Sequence, residues 1–409
     1  MIAPAGGVEN RPSVRRLLWA RGLRAFADGF VSLLLPVHLL GLGFSPLEVG
    51  AIATGTLLGS GLLTLAVGLR ANRVGSRALL TAAAGLMCAT GAGFASITSF
   101  WPLLLVAVVG TLNPSSGDVS VFLPLEHAVL ARVVGDGERT AVFARYSLVG
   151  AFAGALGALF AGAPEMAHAT LGVELRALYP WMFALYALLG LVSGVVYRRL
   201  PPAVALDAAP AAPLRESKRI VYTLAALFSL DAFGGGFLVQ SLLALWLFQK
   251  FQLSIAVAGT IFFWTGVLSA FSYLLAARIA RRIGLVNTMV FTHLPANVLL
   301  LVMPFAHDLG WVIVLLLVRS ALSQMDVPTR SSYVMAVVTP SERPAAASIT
   351  SVPRSLASAV SPLLAGYLLG LSAFGWPLIL AGGVKIAYDL LLLATFRAVR
   401  PPEETAARP

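Results

Sequence analysis

Several ionisable residues recur at helical spacing inside stretches that are otherwise apolar. Arg319, Ser323, Asp326 and Arg330 follow one another at intervals of 4, 3 and 4, with Gln324 beside them. At about 100° per residue they share one helix face. Asp326 and Arg330, one turn apart, are expected to form a local ion pair, leaving Arg319 or Arg330 partly free for an anionic group. Arg21, Arg24 and Asp28 follow at intervals of 3 and 4 in another stretch, continued by Ser32. Arg24 and Asp28 can pair within the helix, and Arg21 is near enough to its end to snorkel. Asp118 follows an "NPSSG" break at Asn113, with Glu126 and His127 further along; Asp231 precedes Gly234-Gly235-Gly236 and Gln240; Arg354 follows Pro353. Lys385 and Asp389 are expected to be a local structural pair at i,i+4. A carboxyl group whose surroundings alternate between apolar and cationic changes its affinity for a proton. Asp28, Asp118, Glu126, Asp231 and Asp326 are therefore the proton-coupling candidates. Arg24, Gln240, Arg319, Gln324, Arg330 and Arg354 are the candidates for binding a polar or anionic substrate.

The elements carrying these residues must be membrane helices. Of 409 residues, 58% are hydrophobic and 11% charged, against roughly 25% charged in soluble domains. That balance excludes a disordered chain and an ordinary soluble enzyme, and the single cysteine, Cys88, excludes a disulfide scaffold. Twelve stretches approach the roughly 20 apolar residues that a spanning helix needs. They cover about 17–40, 46–69, 78–98, 101–131, 141–162, 179–197, 220–247, 255–277, 285–304, 311–336, 346–369 and 376–396. Within such a span each charge costs about 2.5–3.5 kcal/mol near the centre, so the intramembrane charges should face a cavity and a partner. Residues 198–218, rich in proline and alanine, read as a linker between two six-span bundles, 1–197 and 219–409. Pro328 is expected to bend span ten, and the three glycines of span seven to allow a bending gate.

The net charge of +11 is explained by topology. Taken over alternate loops, one side collects Arg15, Arg16, Arg70, Arg73, Arg77, Arg198, Arg199, Arg278, Arg281, Arg282 and Arg397, among others. The other side has Arg176 and Lys250. The positive-inside rule then places both termini and the linker in the cytoplasm. Anionic lipid headgroups, not nucleic acid, are the partner of this charge.

The two halves repeat each other. "VGDGERTAVFARYSLVGAFAGALGALFAG" lies over "VTPSERPAAASITSVPRSLASAVSPLLAG" at an offset of 204, which brings Glu126 onto Arg330 and Pro124 onto Pro328. On this alignment Glu126 and Arg330 are expected to face each other across a pseudo-axis. "RVG" at Arg73 lies over "RIG" at Arg282, with Gly284. An even number of spans per half makes the repeats parallel, with a cleft between them.

This layout resembles the major facilitator superfamily of secondary transporters across essentially the whole chain. The family's motif between spans two and three, G-x-x-x-D-R-x-G-x-R, reads "GLRANRVGSR" here, with Gly68, Arg73, Gly75 and Arg77 in place and Asn72 where the family has aspartate. The resemblance implies an all-α membrane protein of twelve spans. It also implies a cavity lined by spans one, four, seven and ten, and a latch role for the motif that Asn72 cannot support through an ion pair. Gly150, Gly154, Gly157 and Gly162 of span five resemble the small-residue face of antiporters, without the proline that usually follows. Proton-coupled export of a small organic molecule is the leading expectation. Organic-anion uptake or exchange is the alternative, and a non-transporting scaffold or receptor is the alternative of another class. No nucleotide-binding loop or H-E-x-x-H pattern occurs, so no enzyme activity, cofactor or metal is expected. A monomer in a bacterial inner membrane completes the reading.

Overall fold

The computed structural model describes residues 11–70, 74–115, 120–134, 136–201, 214–339, 342–397 and 399. Asn72, Arg73, Asp118 and most of the linker lie outside them. The described chain is helical, with no strand among the described residues. Spans one to three are α1 (Arg11–Gly41), α2 (Pro46–Arg70) and α3 (Ser76–Ser96). Span four is split into α4 (Phe100–Val109) and α5 (Phe122–Val133). Span five is α6 (Asp136–Phe160), followed by the short α7 (Ala163–Leu171), and span six is α8 (Leu175–Arg198). Span seven is split into α9 (Lys218–Gly236) and α10 (Gln240–Phe251). Spans eight and nine are α11 (Ile255–Ile283) and α12 (Leu285–Val302). Span ten is split into α13 (Leu309–Ser323) and α14 (Asp326–Val337), and spans eleven and twelve are α15 (Arg343–Leu371) and α16 (Trp376–Phe396). Eleven stretches are long and apolar enough to cross a membrane, and Phe100–Val109 is an apolar helix too short to do so alone. Trp19, Trp101, Trp181, Trp264 and Trp311 are exposed on the outer surface, as lipid-facing side chains are.

The breaks in the split spans are stabilised by side chains, as backbone at membrane depth requires. After α4, Asn113 Oδ1 accepts from Ser115 N at 3.0 Å and Ser115 Oγ at 2.7 Å, and Thr90 Oγ1 accepts from Thr111 N at 3.2 Å. The break in span ten falls at Gln324–Met325, before Pro328 rather than at it. Pro328 lies in the first turn of α14, where no intrahelical partner awaits its missing N–H.

Helices α1–α8 and α9–α16 form two groups that meet along α2 with α15 and α6 with α11. The end bearing Arg11, Phe396 and the connection after Arg198 is called the terminal end here, and the opposite end the far end. Glycines allow the closest approaches. A Cβ on Gly50 would strike Pro362 O and Gly366, and one on Gly259 would strike Ala158 O. Nearer the terminal end the same α2–α15 pair separates, and a Cβ on Gly61 would meet only Ser355 Cβ, at 4.0 Å. Among the described residues, the hydrogen bonds joining the groups lie toward the far end. Leu363 N donates to Thr54 Oγ1 at 2.9 Å, Ser241 N to Pro114 O at 3.0 Å, and Gln240 Nε2 to Ser32 Oγ at 2.9 Å. Glu165 of α7 accepts from Ile255 N at 2.6 Å and Ala256 N at 2.9 Å, capping α11 across the seam. The far end is closed; among the described residues α2 and α15 part toward the terminal end, while α6 and α11 stay close at Gly266, where a Cβ would lie 3.0 Å from Ala155 Cβ.

Candidate functional site

The first group buries an ion cluster on spans one and four. Arg24 of α1 pairs with Glu126 of α5. Tyr146 of α6 also donates to Glu126. Tyr197 of α8 donates to the other carboxylate oxygen at 2.6 Å and accepts from Arg24 Nε at 2.9 Å. All four side chains are almost completely buried, and the guanidinium lies 4.0 Å from the Phe122 ring centroid. A charge pair taken out of water needs such additional donors to offset its desolvation. Arg21 is buried too, its guanidinium 5.1 Å from the Tyr146 ring centroid, so it does not snorkel.

One turn beyond Arg24, Asp28 is 8% exposed, with Asn113 and Tyr186 beside it. The expected Arg24–Asp28 pair does not form, because Arg24 is committed to Glu126. Among the described residues no cation lies within 4.0 Å of the Asp28 carboxylate, which sits one turn on the terminal side of the Ser32–Gln240 bridge.

The second group carries a related cluster on spans seven and ten. Arg330 of α14 donates to Asp231 of α9 at 2.7 Å and also pairs with Asp326, one turn away. Lys385 of α16 donates to the second Asp231 oxygen at 2.6 Å. His293 Nδ1 lies 2.9 Å from Asp389 Oδ1, and Asn297 Nδ2 donates to Asp389 Oδ2 at 2.9 Å. The bridge from span seven to span ten reproduces that from span one to span four with its polarity reversed: arginine then glutamate in the first group, aspartate then arginine in the second.

These placements revise several expectations. Glu126 and Arg330 do not face each other; each is bound within its own group. Arg24 and Arg330, expected to hold substrate, are engaged by carboxylates. Arg319 and Arg354, the arginines of the second group well inside a span besides Arg330, make no ion pair among the described residues. Arg354 is exposed, and Arg319 Nε has no hydrogen-bond partner. Gln240 bridges the two groups, and Gln324 accepts from Tyr273 OH at 3.0 Å. Lys385 and Asp389 do not pair locally, since each is bound to a residue on another helix. The Gly234–Gly236 run packs tightly, Gly234 against Lys385 and Gly236 against Ser358 O, the close backbone approach that consecutive glycines allow. Gly154 and Gly157 serve close packing of α6 on α1. Gly75 precedes α3 with φ −61°, a conformation open to any residue, whereas its repeat counterpart Gly284 has φ +89° and needs glycine. Gly68 lies near the end of α2, Arg77 Nη1 donates to Leu200 O at 3.4 Å, and Arg282 is exposed in the last turn of α11.

Tyr146, Tyr197, Lys385, His293, Asp389 and Asn297 complete the clusters although none was a candidate. The available signal was their presence as polar residues within spans; their partners lie on other helices, and the one spacing read, Lys385 with Asp389, pointed to the wrong pair.

Two groups of membrane-length helices joined tightly at one end, with ion clusters on the corresponding spans of each, define a membrane transporter fold. The sequence model of the Major Facilitator Superfamily matches residues 17–318 and 223–409, and the chain belongs to that family. It is a transporter, not an enzyme. In sequence it is similar to an uncharacterized membrane protein of Saccharomyces cerevisiae, 25% identical over 421 residues that cover 94% of each chain. In structure it is similar to the nucleoside transporter NupG, with a TM-score of 0.72, 11% identity, and 94% of this chain and 99% of that one covered. A bacterial homolog of the human lysosomal transporter Spinster, in an inward-facing and unoccupied conformation, gives 0.69 at 12% identity, covering 95% and 96%. The human organic anion transporter MFSD10 gives 0.64 at 17% identity, covering 93% and 99%.

Proposed function

We propose that this chain exports a small organic molecule by alternating access, driven by inward movement of protons. It works as a monomer in a bacterial inner membrane with both termini in the cytoplasm. Its bundles, 1–197 and 219–409, rock about the seam so that the closed far end opens as the terminal end closes. The observation that carries the reading is Asp28. Glu126, Asp231 and Asp326 are each balanced by a cation in contact, whereas Asp28 is buried with none among the described residues. A charge held without a partner at membrane depth is costly, so this carboxyl group exchanges a proton when rocking changes its access to water. Asp231, Asp326 and Glu126 hold the arginines in place, and Asp118, beyond the Asn113 turn, remains a proton-coupling candidate.

The test uses proteoliposomes containing the purified protein. Asp28→Asn should abolish uphill flux driven by a pH gradient while leaving substrate counterflow intact, because exchange needs rocking but no net proton movement. Intact pH-driven flux in this variant would defeat the reading.

Organic-anion transport is the second reading, favoured by Arg319 and Arg354. Two arginines without a carboxylate in contact among the described residues can bind a carboxylate or phosphate through paired N–H donors. A thermal-shift screen of the purified protein decides between substrate classes, because a ligand stabilises the state it binds by mass action. Organic anions as the main hits, with the shift lost in Arg354→Ala, support this reading; neutral or cationic hits unaffected by Arg354→Ala exclude it.

A further inference from the structure

One of the bonds that close the far end starts from a turn that Asp28 itself touches. Residues 111–115 form the non-helical segment after α4. Two side chains of the first group hold Thr111. Thr90 Oγ1 accepts from its N–H at 3.2 Å, and Tyr186 OH donates to its carbonyl at 3.2 Å. Asn113 is 1% exposed, and its Oδ1 accepts from Ser115 N at 3.0 Å and Ser115 Oγ at 2.7 Å. Its side chain also hydrogen-bonds the Asp28 carboxylate. Between these two residues, Pro114 presents its carbonyl across the seam to Ser241 N at 3.0 Å. Ser241 lies in the first turn of α10, where an N–H has no partner within the helix. The bond therefore fixes the start of α10 against the first group. An amide has a donor end and an acceptor end. With Oδ1 committed to Ser115, Nδ2 is the end that serves Asp28. An ionised carboxylate only accepts, and a hydrogen bond to it is about twice as strong as a neutral one. The turn is held harder when Asp28 is ionised. Helix α1 cannot absorb the difference, because it is wedged against α6 at this level. A Cβ on Gly29 would strike Gly154 O, and one on Gly157 would strike Phe26 O. The turn, which belongs to no helix, is the part that yields.

We propose that Asn113 is the positioning residue through which Asp28 sets the far-end gate. Bonded to the ionised carboxylate, Asn113 keeps Pro114 O on Ser241 N; beside a neutral Asp28 the turn slackens and that bond exchanges more readily. The groups around Asp28 are few. Arg21 and Arg24 lie on its own helix, toward the terminal end, and act on it from beyond contact distance. Tyr186 comes from α8. Helix α6 meets α1 here through the backbone of Gly154, and α10 brings Gln240 to Ser32. Asp118, further along span four, lies outside the described residues. Any part this link plays in proton-driven export rests on the Asp28 reading above; the link between the turn and the gate does not.

The test exchanges donor and acceptor. Gate opening is read as the rate at which a membrane-impermeant thiol reagent, applied from the far side, labels Ser241→Cys in a Cys88→Ala background of the full-length protein. Asn113→Asp keeps the acceptor for Ser115 N but turns a second carboxylate toward Asp28, and Asp28→Asn removes the charge that Asn113 answers. Each change alone should speed labelling several-fold. The double variant Asp28→Asn/Asn113→Asp restores one donor and one carboxylate in exchanged places, and its rate should return close to that of the parent. A role confined to shaping the turn predicts instead the parent's rate for Asn113→Asp and no rescue. The proposal is overturned by folded Asn113→Asp that labels like the parent, or by a double variant that labels as fast as the faster single or faster. If Asn113→Asp does not fold, Asn113→Ala takes its place. Adding Asp28→Asn to Asn113→Ala should then change nothing, and two independent effects would overturn the link. Intact pH-driven flux in Asp28→Asn would defeat the export reading and leave this comparison standing; a failed rescue would end the link and leave the flux result standing.

Discussion

Glu126 accepts from three donors at once: Arg24, Tyr146 and Tyr197. That arrangement makes the pair expensive to break from one side. Glu126→Gln leaves the buried Arg24 guanidinium beside two hydroxyls with no carboxylate in contact, and breaking one partner of a buried pair costs about 3–5 kcal/mol. The expected outcome is a large fall in unfolding temperature in detergent for Glu126→Gln and for Arg24→Gln separately, with the double variant losing clearly less than the sum of the two. Additive losses would mean that the two side chains do not act as a unit. At this scale the sequence revealed which residues share a helix face, since spacing alone determines that. It did not reveal which neighbouring helix supplies the partner. Arg24 was therefore matched with Asp28, its neighbour one turn away, when its partner lies 102 positions on. The reversed polarity of the two bridges was hidden similarly. Glu126 aligns with Arg330 at the repeat offset, but Arg24 and Asp231 are 207 apart rather than 204, so the second correspondence needs the fold.

At the scale of elements, each long apolar run became a helix or a broken pair of helices, because a span's length and composition are written in consecutive residues. The places where elements begin and break were less legible, since they depend on side chains that satisfy freed backbone groups. Glu342 shows this. It precedes α15 and lies far from the linker in sequence, yet its carboxylate accepts from Arg215 N at 2.6 Å, Glu216 N at 3.0 Å and Ser217 N at 3.0 Å. It thereby fixes the segment that enters α9. The Arg215 N–H, followed by those of Ser217 and Glu216, holds this carboxyl group down at about 2, against 4.5 for the unperturbed group. A carboxylate whose affinity for protons is lowered by folding contributes stability above its unfolded value and loses it as pH falls toward the folded one. Hydrogen exchange at Arg215, Glu216 and Ser217, corrected for the intrinsic pH dependence of amide exchange, should therefore show protection that is constant above about pH 5 and falls between 4.5 and about 2. Glu342→Gln should lower that protection at neutral pH and flatten its dependence. A wild-type profile without this acid limb would contradict the assignment.

For the molecule as a whole, alternating access requires that one closed end be held by contacts weak enough to exchange for others. The far end has a compact set: the Gly50–Gly366 and Gly259–Ala158 approaches, the Thr54–Leu363, Pro114–Ser241 and Ser32–Gln240 bonds, and the cap that Glu165 places on α11. The first five join spans on either side of the seam by backbone contact or neutral hydrogen bonds. Glu165 differs in bringing a formal negative charge from the first group to the positive end of a helix in the second, where an anion is favoured. A charged cap in a half-exposed position is worth about 1 kcal/mol, enough to change the ratio of the two states roughly fivefold. Glu165→Gln should therefore raise the fraction of molecules open at the far end by about that factor, while Glu165→Asp should retain part of the effect. The reporter is a cysteine at Ser241 in a Cys88→Ala background. The Ser241 side chain is fully buried, and its oxygen has no partner; only its backbone N–H serves the gate. Labelling by a membrane-impermeant thiol reagent applied from the far side should be slow in the parent and several-fold faster in Glu165→Gln. Equal rates in folded parent and variant would remove Glu165 from the gate and leave the glycine contacts to hold it.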